Sequence, residues 1–167
     1  MKLHEAKIMA NEIISILKPF CTRIEVAGSI RRSVAEVGDI DIVLIQHPFR
    51  LEQFLRTSAR KHNIIIKNSL NPKLKYGPKY KQILYKGNKI ELWIADKNNW
   101  GLILAIRTGS ANFSAKLLSN WKKVTKGGES HLGMLHTASG KIIPVYEEDQ
   151  MFQLCNMEWI DPSDRSL

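Results

Sequence analysis

Asp39 and Asp41 stand two residues apart in the run Gly38-Asp39-Ile40-Asp41-Ile42-Val43-Leu44-Ile45. On a strand both carboxylates point to one face, and Ile40, Ile42 and Leu44 point to the other. Neighbouring carboxylates repel unless a cation lies between them, and oxygen-only ligands suit magnesium or manganese. Just upstream, Gly28-Ser29-Ile30-Arg31-Arg32 offers close backbone approach, a hydroxyl and two guanidinium groups suited to phosphate. Both stretches are predicted as strands, joined by the polar connection Ser33 to Val37. A metal beside a phosphate cradle is the equipment for moving a nucleotidyl group.

The elements that must hold these residues follow from periodicity. Residues 4–18 predict an amphipathic helix, with Ala6, Met9, Ala10, Ile13, Ile14 and Leu17 on one side and Pro19 ending it. Strands are predicted at 23–29 and 39–46, a helix at 49–62 with Leu51, Phe54 and Leu55 inward, and a short strand at 63–67. The stretch 71–79 is too rich in Pro, Gly and Lys to be regular. Residues 80–86 and 89–95 predict a hairpin closed by Gly87-Asn88. On its second strand Ile90, Leu92 and Ile94 share one face, so Glu91 shares the other with Trp93 and Ala95. Glu91 is thereby the candidate for the third carboxylate that a two-metal site requires. Asp96, its rival, has the parity of Ile90 and Ile94.

A helix predicted at 100–106 leads into Thr108-Gly109-Ser110, by itself a capping turn, and a second helix runs to about Trp121. The basic turn 121–128, strands at 132–136 and 142–145, and a final helix opening at Glu147-Glu148-Asp149 complete the chain.

The net charge of +9 over 167 residues implies a polyanionic partner, nucleic acid first and an anionic membrane surface second. Lys73, Lys75, Lys79, Lys81, Lys122, Lys123 and Lys126 are the candidate DNA contacts. No apolar run approaches the ~20 residues of a membrane span. Two distant cysteines, Cys21 and Cys155, with no His or Cys pairing that suggests zinc, predict reduced thiols in an intracellular, cytoplasmic protein.

Gly-Ser-x-Arg-Arg followed by Gly-Asp-x-Asp resembles the signature of the polymerase beta-like nucleotidyltransferase superfamily, and more narrowly that of family X DNA polymerases. Thr108-Gly109-Ser110 and the closing Trp159-x-x-Pro162-x-x-Arg165 resemble the same family, so the likeness extends over residues 4 to 167. It implies an α+β fold with a mixed sheet, a nucleotidyltransferase palm over 1–97 and a smaller helical thumb, the nucleotide-binding subdomain, over 98–167.

The resemblance also implies roles. Asp39, Asp41 and Glu91 would be catalytic and would ligate two magnesium ions, for which manganese can substitute; Glu91 stands where the family usually has aspartate. Gly28, Ser29 and Arg32 would hold the triphosphate, with Arg31 structural, and Gly109 and Ser110 would line the sugar. Ile106 and Arg107 replace two aromatic residues of the family, leaving Arg107 to form a salt bridge or meet template phosphate. The implied activity is a DNA-directed DNA polymerase, extending a primer with dNTPs in gap-filling repair. A minimal palm-plus-thumb monomer is expected, without the family's amino-terminal lyase and helix-hairpin-helix regions. Two other classes share the core: template-independent transferases acting on a small molecule, a protein or an RNA end, and non-catalytic nucleic-acid-binding proteins.

Overall fold

Residues 1–165 are described by the structure, a computed structural model; Ser166 and Leu167, which follow the family-like ending, lie outside it. Helix α1 (Leu3–Leu17) leads through a 3-10 turn at Pro19 into strand β1 (Cys21–Val26). A short helix α2 (Gly28–Arg31), strand β2 (Ile40–Gln46), helix α3 (Arg50–Thr57) and a two-residue strand β3 (Ile64–Ile65) follow. Strands β4 (Tyr80–Tyr85) and β5 (Asn88–Ile94) form a hairpin. The remainder is helical apart from a small meander: α4 (Trp100–Thr108), α5 (Ala111–Val124), β6 (Glu129–His131), β7 (Met134–His136), β8 (Ile142–Ile143) and α6 (Glu148–Leu154).

The main sheet has the order β1-β2-β5-β4-β3, and β2 with β5 is its parallel pair, so the fold is α+β with a mixed sheet. One face carries Ile40, Ile42, Leu44, Ile90 and Leu92, which bury against Ala6, Ala10, Ile13 and Leu17 of α1 and Leu51, Phe54 and Leu55 of α3. Each fully buried Ile or Leu there stabilises the fold by about 1.5–3 kcal/mol. On the other face Val43, Ala95 and Ala27 pack against Trp100 and Leu104 of α4. A separate core joins α4, α5 and α6 through Leu102, Phe113, Leu117, Trp121, Met151 and Phe152. Among the described residues no helix is long and apolar enough to cross a membrane.

Several expectations are corrected. The predicted strand through Gly28 stops at Val26, because Gly28 takes φ +58° and the chain turns into α2, with Arg31 N–H donating to Ala27 and Arg32 N–H to Gly28. The helix predicted at 49–62 breaks at Ser58 into α3 and a 3-10 turn, and the strand at 63–67 shrinks to β3. The hairpin closes one residue early, on Lys86-Gly87, whose φ values of +49° and +80° match the twist of the flanking strands. Trp121–Val124, assigned to the basic turn, continue α5, and β6 is a strand the sequence did not suggest.

Candidate active site

Strand β2 fixes Asp41, and β5 fixes Glu91 directly opposite it in the parallel register that pairs Ile40 with Ile90 and Ile42 with Leu92. Asp39 precedes the first residue of β2 by one, on the same side as Asp41. All three lie on the sheet face away from α1 and α3, short of the part that α4 covers. Asp96 lies beyond β5, where its Oδ1 accepts from Asn98 N–H at 2.7 Å in the turn before α4.

Each acid is tethered. Asp41 Oδ1 accepts the Trp93 indole N–H at 3.0 Å. The Lys89 ammonium lies 2.9 Å from Asp39 Oδ2 and 3.4 Å from Glu91 Oε1, and Gln82 Nε2 donates to the same Glu91 oxygen at 3.3 Å. Burial pushes the Asp41 carboxyl above the usual carboxylate range, and the charges of Glu91 and Asp39 push the same way, against the Trp93 hydrogen bond. The hydrogen bond to Asp39 holds the Lys89 ammonium above its ordinary value. Tyr80, stacked on Trp93 at 4.1 Å, has its phenol pushed up to about 12 by burial and by Glu91.

Helix α2 brings the predicted cradle against Asp41. The gap at Gly28 admits no side chain: a Cβ there would lie 2.1 Å from Asp41 Oδ2. Ala27 N–H donates to the Asp41 carbonyl at 2.8 Å, locking α2 to β2. Ser29 is half-buried in the same turn. Arg32 reaches across to donate to the Thr108 carbonyl, while its Nε is buried without a hydrogen-bond partner. Burial lowers the Arg32 pKa and the Asp41 charge opposes this.

The Gly109-Ser110 turn lies against the Arg32 guanidinium. A Cβ on Gly109 would lie 3.0 Å from Arg32 Nη1, and the Ser110 hydroxyl caps α5 by accepting Phe113 N–H at 3.3 Å. Gly28, Arg32 and Gly109 therefore converge on one corner of the acid cluster.

Arg107, Trp93 and Lys89 also belong to this site; parity had set Trp93 on the face of Glu91, but a contact with the acids was foreseen for none of the three. The Arg107 guanidinium lies 3.4 Å from the Trp93 ring centroid, its Nε is buried without a partner, and the charges of Asp41 and Glu91 act on it. Burial lowers the Arg107 pKa against those charges. Strand parity was the available signal for Lys89 and Trp93, since both share the face of Glu91.

Arg31 faces away from the acids. It grips Glu148 bidentately at 2.8 and 2.7 Å and donates to Thr108 Oγ1 at 2.7 Å. Arg165, 0 % exposed, donates to Glu148 Oε1 at 2.6 Å and packs among Phe113, Phe152 and Trp159. The Arg165 carbonyl in turn accepts Ser110 N–H at 3.3 Å. The family-like C-terminal ending thus braces the turn that meets Arg32.

Among the proposed DNA contacts, Lys73, Lys75, Lys79, Lys122, Lys123 and Lys126 are exposed. Lys81 is not: at 4 % exposure it pairs with Glu52, donates to the Gly77 carbonyl and stacks on Tyr76, so its role is structural. A cleft of about 440 Å³ lined by Leu70, Asn71, Lys73, Gln82 and Lys89 opens beside Glu91. A larger hollow of about 670 Å³ lies by β3 and is lined by none of the acids.

Among the described residues no group of three or more His, Cys, Asp or Glu is drawn close enough to hold a metal ion in this conformation. The donor chemistry nevertheless suits one. The donors are carboxylate oxygens alone, and Asp39 and Glu91 already share a cation in the Lys89 ammonium.

Compared with family models and with curated proteins, the sequence gives no match in either.

Proposed function

We propose that the protein is a nucleotidyltransferase with a polymerase beta-like palm, a family X DNA polymerase that extends a primer with dNTPs. The observation that carries this reading is Glu91 opposite Asp41 across parallel strands, with Asp39 alongside and the backbone of Gly28 pressed against the Asp41 carboxylate. A primer 3′-hydroxyl oxygen attacks the α-phosphorus of the triphosphate, the bond to the β-phosphate bridging oxygen breaks, and pyrophosphate leaves. Asp39, Asp41 and Glu91 are the residues that would hold two magnesium or manganese ions, with Glu91 on the primer side. When bound, such ions supply a more acidic hydroxyl and neutralise charge on the leaving group.

The chain's own residues do the rest. Glu91 is the nearby base for the hydroxyl proton. Ser29 and Arg32 hold the triphosphate. Gly109 and Ser110 line the sugar, and Arg107 closes the site over Trp93. The net charge of +9 and the exposed lysines beside the cleft support DNA as the substrate that carries the primer.

The test is primer extension on matched and gapped templates, with each dNTP and rNTP supplied alone and Asp41→Asn as control. Templated incorporation lost in Asp41→Asn is the expected result. Incorporation that ignores the template, or nucleotidyl transfer only to a small acceptor, would replace the polymerase with the template-independent class.

A further inference from the structure

The acid cluster comes with its own cation. Lys89 lies two residues before Glu91 on the same face of β5, one position ahead of the registered pair Ile40 and Ile90, which sets it across from Asp39. Its ammonium binds Asp39 Oδ2 and Glu91 Oε1 together, at 2.9 and 3.4 Å. These are oxygens that a divalent cation would need. With Arg107 acting on Asp41 and Glu91 and Arg32 acting on Asp41, the three negative charges already face three positive ones. The electrostatic pull on a further cation is correspondingly weak.

We propose that Lys89 is a built-in competitor for the divalent ion, holding Asp39 and Glu91 until the ion displaces its ammonium. The inference rests on the metal-site reading of the three acids and adds to it a residue that sets how tightly the ion is held. The side chain is 37 % exposed and lines the cleft of about 440 Å³ that also holds Lys73. A displaced ammonium therefore has open space to enter, where the phosphate of a bound strand would receive it. Ion loading and occupation of that cleft by a polyanion then favour each other.

The experiment titrates the full chain with Mn2+ alone, reading free Mn2+ by electron paramagnetic resonance, for wild type, Lys89→Gln, Lys89→Arg and Asp41→Asn. Removing one nearby positive charge from a partly exposed site should tighten Mn2+ binding about threefold to tenfold in Lys89→Gln. Lys89→Arg keeps the charge and should stay within about twofold of wild type. Thermal melts check that each variant is folded. Unchanged Mn2+ affinity in Lys89→Gln, with binding lost in Asp41→Asn, would overturn the role of Lys89 and leave the metal site standing. Mn2+ bound equally by wild type and Asp41→Asn would overturn the metal site itself, and the competitor with it.

Discussion

Alanine at position 28 would place its Cβ 2.1 Å from Asp41 Oδ2, 2.9 Å from Asp41 Cγ and 3.0 Å from Asp41 Cβ. Ordinary contacts of this kind begin near 3.4 Å, so the overlap at the carboxylate exceeds 1 Å. Asp41 cannot yield along the backbone, because β2 is paired on both sides and its carbonyl is held by Ala27 N–H. Relief must come from turning the carboxylate off the Trp93 N–H or from lifting α2, which carries Ser29 and leads directly into Arg32. Either movement misplaces a reacting group by about 1 Å, which costs about 100-fold in rate. Overpacking adds a stability loss of about 1–3 kcal/mol, and the left-handed φ of +58° adds about 1 kcal/mol. For a chain of this size that lowers Tm by several degrees. Single-turnover incorporation at a temperature well below the melt separates the two effects. Gly38→Ala is the matched control, since a Cβ there meets nothing within 4 Å, and it should stay within about threefold of wild type. Equal losses in both variants, or near-normal turnover in Gly28→Ala, would refute the claim that Gly28 is required for space beside Asp41.

Asp41→Asn should abolish incorporation yet raise Tm. The folded pKa of Asp41 is raised by burial and by Glu91 and Asp39, so its charge destabilises the fold above the ordinary Asp range. A gain in Tm at pH 7 should therefore close as pH falls below about 4, as followed by thermal melts across pH. Glu148→Ala would strand the fully buried Arg165 and the half-buried Arg31, with an expected loss of about 3–5 kcal/mol in urea unfolding. DNA affinity by fluorescence anisotropy should fall with salt at a log–log slope of roughly −4 to −5, if four to six phosphates are neutralised. Charge reversal at Lys73, Lys75 and Lys79 should flatten that slope.

The sequence by itself determined what depends on backbone periods of 2 and 3.6 residues. Alternation along β2 put Asp39 and Asp41 on one face, and the parity of β5 separated Glu91 from Asp96. The spacing of Ala6, Ala10, Ile13 and Leu17 marked the buried side of α1. These patterns are local because each residue's direction is set by its own strand or helix. Tertiary structure alone decided which patterns meet. That Asp41 faces Glu91 depends on a parallel register between strands far apart in the chain, which no local spacing encodes. Gly28 read as part of a strand because nothing adjacent in sequence announces the Asp41 carboxylate that forbids a side chain there. Lys81 read as one more surface lysine, although its neighbours in space are Glu52 and Tyr76. The Arg31, Glu148 and Arg165 network and the hold of Lys89 on Asp39 have the same origin. A charged side chain's role is set by the charges and surfaces around it, and those are assembled only when distant segments pack together.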